Sequence, residues 1–126
     1  MIKSLINNSD QEWTEQYDRI AKLERERDQI RASGAIAVSG VWIECGKVSG
    51  KEFRQAYFRS TVPIFQAKSQ AGFAKSESGL VKRQYIGEEN SKAVTAAAES
   101  IVRRKRLIAN AKEIEMIERK LEEVPP

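Results

Sequence analysis

An α+β fold is predicted for this chain, with a long N-terminal helix, a small antiparallel sheet of three or four strands, and a long C-terminal helix. Three observations carry the prediction. Residues 10–32 are charged with apolar residues at helical spacing, residues 34–87 are glycine-punctuated and rich in β-branched and aromatic residues, and a second helical pattern fills 91–123. With 126 residues, 40% hydrophobic and 32% charged, the chain has the length of a single domain, 1–126, and the charge content typical of long exposed helices.

Ser9-Asp10-Gln11-Glu12 fits a capping box, in which serine and glutamate side chains satisfy each other's backbone N–H groups at a helix start. Trp13, Tyr17, Ile20, Leu23 and Ile30 then recur at spacings of three, four or seven, interrupted by Arg27, while the remaining charges alternate in sign as a solvated face does. Such a narrow stripe needs a partner to be stable. Ser33-Gly34 ends the helix.

Residues 35–45 read as the first strand with Gly40 as a bulge or bend, and residues 47–51 as a glycine-containing hairpin connection. In the second strand, 52–59, alternation places Phe53, Gln55, Tyr57 and Arg59 on one face and Arg54, Ala56 and Phe58 on the other. Aromatics on both faces predict a sheet covered by its own helices on one side and by a partner on the other. Pro63 demotes 62–67 to an edge segment or extended loop, and the Ser/Lys/Gly/Ala-rich stretch 68–79 reads as a mobile loop. The third strand is 80–86, with Arg83 and Tyr85 on one face and Lys82, Gln84 and Ile86 on the other; Gly87 begins the turn into the last helix, capped by Asn90 or Ser91.

Along that helix, Val94, Ala97, Ala98, Ile101 and Ile108 form a stripe of mostly small residues. Leu107, Ala111, Ile114, Ile117, Leu121 and Val124 continue it as a seam, and Pro125-Pro126 ends it. The two helices are expected to pair as a coiled coil, antiparallel or across a dimer. Trp13, Trp42, Phe53, Phe58 and Phe65 are assigned to the core, and Cys45 to a small buried apolar role.

Several chemistries are disfavoured. Histidine is absent and Cys45 is the sole cysteine, which removes His-based triads, Cys/His zinc sites and intramolecular disulfides. No phosphate-cradling glycine loop or calcium loop occurs, and the paired carboxylates Glu88-Glu89 and Glu122-Glu123 sit at helix ends. The chain is therefore read as a non-enzyme, with no catalytic residue, metal or cofactor. The N-terminal residues lack the apolar core of a signal peptide and no stretch has the apolar length of a membrane span, so a cytoplasmic protein without membrane contact is expected.

Positive charge is uneven. Residues 1–33 carry a net −1, 34–90 a net +3 and 91–126 a net +2, within an overall +4. Arg54, Tyr57, Arg59, Lys82, Arg83 and Tyr85 mix cations with rings on two strands that can be neighbours, a composition suited to stacking bases and contacting phosphates. The competing explanation is a half-buried strand pair with protective edge charges. Arg103-Arg104-Lys105-Arg106 is the densest charge, but four successive helical residues spread over about 300°, so they do not all meet one ligand. Pairing with Glu99, Glu113 or the first helix is the structural alternative.

Gly40-Val41-Trp42-Ile43-Glu44, Pro63-Ile64-Phe65, the run from Lys82 to Ser91 and the basic helix after it resemble a family of small uncharacterised proteins of plasmids and other mobile elements, notably cyanobacterial. The resemblance spans roughly residues 34–121 and rests chiefly on the Tyr-Ile-Gly segment. It implies a mobile-element role and assigns no catalytic residue. The expectation is a nucleic-acid-binding protein, DNA in preference to RNA, acting as a homo-oligomer through Arg54, Tyr57, Arg59, Lys82, Arg83, Arg103, Arg104 and Arg106. The alternatives are a protein-interaction module, such as a coiled-coil adaptor or chaperone-like holder, and a phage or plasmid inhibitor or small-ligand sponge.

Overall fold

The computed structural model describes residues 8–47, 49–50, 52–66 and 79–123, with side-chain surroundings from residue 11 onward. It contains helix α1 (Asn8–Ala32), strands β1 (Trp42–Lys47), β2 (Arg54–Arg59), β3 (Phe65–Gln66), β4 (Leu80–Val81) and β5 (Arg83–Glu88), and helix α2 (Lys92–Glu123). The α+β class is as predicted. Strands β1, β2 and β5 form an antiparallel sheet with β2 in the centre, and β3 pairs with β4 in a separate two-stranded ribbon. The loop expected at 68–79 lies outside the described residues except for Gly79, as does Val124 with the two prolines after it.

Two compact units share α2. One holds residues 8–35 with 105–123, and the other Ile36–Arg104. In the first, Arg19 pairs with Glu113 and Asn110 Nδ2 donates to the Leu23 carbonyl at 2.8 Å, so α1 rises as this part of α2 falls: the two are antiparallel. Leu23, Ile30 and Ile117 are buried there. Tyr17, assigned to the stripe, is 53% exposed and instead packs its ring at 5.7 Å from that of half-buried Trp13. α1 is already helical at Asn8, ahead of the predicted capping box, whose Ser9 and Asp10 side chains lie outside the described surroundings.

The seam of α2 also differs from expectation. Ala98, Ile108 and Ala111 are exposed, and the shielded line passes through Ala97, Ser100, Leu107, Asn110, Ile114, Ile117 and Leu121, at alternating spacings of three and four broken only between Ser100 and Leu107. Its two polar members were invisible to an apolar pattern. Ser100 fits because its hydroxyl donates to its own helix, at the Ala97 carbonyl, 2.6 Å away. Asn110 fits because its amide reaches Leu23, while its buried Oδ1 has no partner among the described residues.

In the sheet unit, the first strand begins only at Trp42, seven residues later than predicted. Ser39-Gly40 is a turn, with Gly40 at φ +78°, a conformation open to glycine and costly for other L-residues. The segment before it is held by α2: Ala37 N–H donates to the Ser100 carbonyl at 3.1 Å, and Arg104 Nη1 donates to the carbonyls of Val38 at 2.5 Å and Val41 at 2.8 Å. The predicted third strand is broken at Lys82, a bend between β4 and β5 whose carbonyl accepts from Ser60 N–H. Gly87 is inside β5, not in the turn, which falls at Glu89-Asn90.

The register places Ala56, which has no exposed surface, opposite Gly87. A Cβ on Gly87 would lie 2.8 Å from Ser91 Oγ and 3.7 Å from Ala93 Cβ, so this face of the sheet meets the first turn of α2 at backbone distance. Ser91 is the helix cap: its Oγ accepts from Val94 N–H at 3.3 Å. Phe58, on the same face, stacks on Phe65 of β3 with ring centres 6.5 Å apart. Trp42 and Phe53, both assigned to the core, are exposed, and Cys45 is half-buried.

Two stability predictions follow from these contacts. Ser91→Ala loses the cap, at about 1 kcal/mol, and Gly87→Ala is at least as costly because its methyl displaces that hydroxyl. In the Ser91→Ala background Gly87→Ala becomes nearly neutral, so a double-mutant cycle by urea denaturation is strongly non-additive. Arg104→Ala removes the donor to the Val41 carbonyl and leaves the Val38 carbonyl only its 3.4 Å bond from Val41 N–H, costing about 2 kcal/mol in the same assay. Arg104→Lys recovers much of it because both bonds come from one nitrogen, Nη1, and a single ammonium also carries enough N–H groups for two carbonyls.

Candidate nucleic-acid interface

Strand alternation and register organise the face opposite Ala56 into three rows across β1, β2 and β5. Trp42, Arg59 and Arg83 form the first row, Glu44, Tyr57 and Tyr85 the second, and Gly46, Gln55 and Glu88 the third. Two features bring these side chains to one surface. β2 alternates regularly, as predicted, and β5 carries a bulge at Ile86, where the register shifts between Ala56 and Tyr57. The bulge lets Gly87 face the helix while Tyr85 and Arg83 face the other way.

The rings and cations interlock. Tyr57 and Tyr85 meet edge to face with centres 5.6 Å apart, and the Arg83 guanidinium lies over the Tyr57 ring at 5.1 Å. Each contact contributes on the order of 1 kcal/mol. The Tyr57 hydroxyl donates to Gln55 Oε1 at 2.8 Å, which fixes the ring from its far end. Arg59 Nε is 3.4 Å from Glu44 Oε2, a solvent-accessible ion pair worth at most about 1 kcal/mol. Trp42 at 41% and Tyr85 at 38% exposure flank the two arginines. Cations and Trp42 collect in the first row, and Glu88 stands in the third, so the face is graded in charge from one end to the other.

Of the residues singled out from sequence, Tyr57, Arg59, Arg83 and Tyr85 are therefore together. Lys82 is exposed at the bend immediately before Arg83, outside the strand. Arg54 is on the opposite face, where it donates to the Cys45 carbonyl at 3.2 Å and pairs with Glu89 at 3.4 Å; β2 alternation separates it from Tyr57 and Arg59. The helical cluster is divided. Arg103, its side chain 19% exposed, pairs with Glu99 at 3.5 Å one turn back. Arg104 is spent on the Val38 and Val41 carbonyls, a structural role. Arg106 belongs to the other unit, where it lines a groove of about 500 Å³ with Leu23, Glu26, Ile30, Asn110 and Glu113.

Trp42 is the residue that sequence reasoning missed. Its place in an apolar run suggested the core, whereas the Gly40 turn resets the strand so that Trp42 opens β1 on the exposed face. The signal was available in the alternation Trp42, Glu44, Gly46 against Ile43 and Cys45, since a strand with glutamate between tryptophan and glycine has a solvent side.

Among the described residues, no group of His, Cys, Asp or Glu is arranged to hold a metal ion, and no helix is long and apolar enough to cross a membrane. No family model matches the chain, and neither a curated protein nor a solved structure is significantly similar to it.

Proposed function

We propose that the chain is a non-enzymatic nucleic-acid-binding protein, DNA in preference to RNA, that uses the face bearing Trp42, Tyr57, Arg59, Arg83 and Tyr85. The observation that carries this is Arg83 held over the Tyr57 ring beside Arg59, on the face that also exposes the Trp42 and Tyr85 rings. Guanidinium groups contact phosphate and flat rings accept bases, and the two are interleaved on one surface here. Lys82 adds charge at the same end. Arg54 lies on the opposite face of β2, and Arg103 and Arg104 lie on α2, so these three are dropped from the contact surface. The setting on a plasmid or other mobile element rests on the resemblance over roughly residues 34–121, carried chiefly by residues 82–91.

A homo-oligomer or protein-interaction module is a second reading, favoured by large apolar side chains exposed on the helices: Tyr17, Ile108 and Met116, the last at 60%. Here the paired helices would continue as a coiled coil with another copy. Size-exclusion chromatography with light scattering is expected to give a dimer mass that Met116→Lys reduces to monomer; a monomer at all concentrations rejects self-association.

For nucleic acid, affinity measured by fluorescence anisotropy is expected to fall steeply with salt. Arg59→Ala with Arg83→Ala should flatten the log–log slope by about 1.4 to 1.8, two phosphate contacts' worth. Glu44→Gln, which releases Arg59 from its partner, should tighten binding a few-fold. Absence of binding even at low salt rejects the proposal.

A further inference from the structure

We infer that the ligand of this face is a single strand, read by stacking, and not a duplex. The inference rests on the nucleic-acid reading and specifies its substrate class. Trp42 lies on β1 and Tyr85 on β5, two strands apart and one row along. With strands about 4.8 Å apart and about 6.8 Å between successive residues on one face, their Cα positions are separated by about 12 Å. Arg59 and Arg83 continue the row from Trp42, and Arg83 is the same-face neighbour of Tyr85 on β5, so the path from Trp42 runs along the row and then turns along β5. One base on each ring, with the connecting phosphate over the two guanidinium groups, matches that order of ring, cation, cation and ring.

A duplex does not satisfy the same surface. Its base faces are covered by their neighbours, so ring-to-base stacking requires the stack to open. To a sheet face the duplex presents its phosphates and the base edges in its grooves, not base planes, and for phosphate without stacking this face is poorly built: Arg59 has Glu44 at 3.4 Å, Glu88 is exposed in the third row, and the charge is graded along the strands. What distinguishes the surface from an ordinary charged sheet edge is its aromatic content. Tyr57 is committed to Tyr85 and Arg83 and so acts as a support that orients them, whereas the Trp42 and Tyr85 rings keep exposed surface for a ligand.

The experiment uses the full chain and one mixed-sequence, labelled oligodeoxynucleotide of about 20 nucleotides, presented alone or annealed to its complement, with anisotropy as the readout. The single strand is expected to bind at least about tenfold more tightly than the duplex, and Trp42→Ala or Tyr85→Ala to weaken it about tenfold while leaving its salt slope unchanged. Urea denaturation of Trp42→Ala and Tyr85→Ala separates lost stacking from lost folding: each is expected to unfold in one cooperative transition and to be fully folded under the binding conditions, and a variant that is unfolded there leaves the other to decide. Equal or tighter duplex binding, with both alanine variants unaffected, overturns the single-strand inference and leaves nucleic-acid binding standing. Failure of both oligonucleotides to bind at low salt overturns both.

Discussion

One side chain, that of Arg104, donates to two carbonyl groups, those of Val38 and Val41, across the turn that Val41 N–H closes on the Val38 carbonyl at 3.4 Å, and much of the sheet unit's geometry depends on that. The segment between Gly34 and Trp42 is neither helix nor strand, so its polar backbone needs partners from elsewhere. Arg104 supplies two donors and the Ser100 carbonyl accepts a third contact from Ala37. With this segment held to α2, the Gly40 turn is fixed, and with the turn fixed, β1 starts at Trp42 on the exposed side. An arginine that looks like part of a phosphate-binding cluster thus determines which side of the sheet carries the exposed tryptophan.

The covered side obeys a different constraint, that of close approach. Ala56 and Gly87 face each other in the ladder, and the hydroxyl that caps α2 occupies the space a side chain on Gly87 would take. Small residues on the strands and a capped helix start are one arrangement viewed from two elements. The result leaves the opposite side of β2 free to carry Tyr57 and Arg59. In the helical unit, Asn110 has a comparable role: its amide bonds to Leu23 across the pair, and an amide at one level disfavours sliding of one helix past the other.

How much of this was legible in the sequence follows from how local each cause is. Both helices, the alternation of β2 and the β character of 80–86 have periodic signals within single segments, and all appear in the structure. Arg83 and Tyr85 were correctly placed on one side of their strand for the same reason. The start of β1 was misplaced because an apolar run has no internal mark separating strand from a segment tethered to a helix more than 60 residues later. Arg54 was grouped with Tyr57 by composition although its own alternation already opposed it. The polar seam residues Ser100 and Asn110 were missed because their partners are backbone carbonyls, which no side-chain pattern displays.

The bulge at Ile86 acts as a phase shifter. A β-strand has one binary degree of freedom, inward or outward, and an extra residue inverts it for everything beyond. Without that inversion, the choice that turns Gly87 toward the helix would also turn Tyr85 and Arg83 inward, and packing and display would compete for one parity. Splitting β5 into two phases removes the competition: its C-terminal end is tied to the requirements of α2, while its N-terminal end can vary in chemistry without disturbing the helix. Deleting a single residue here would alter neither composition nor net charge appreciably, yet it would turn the surface inside out.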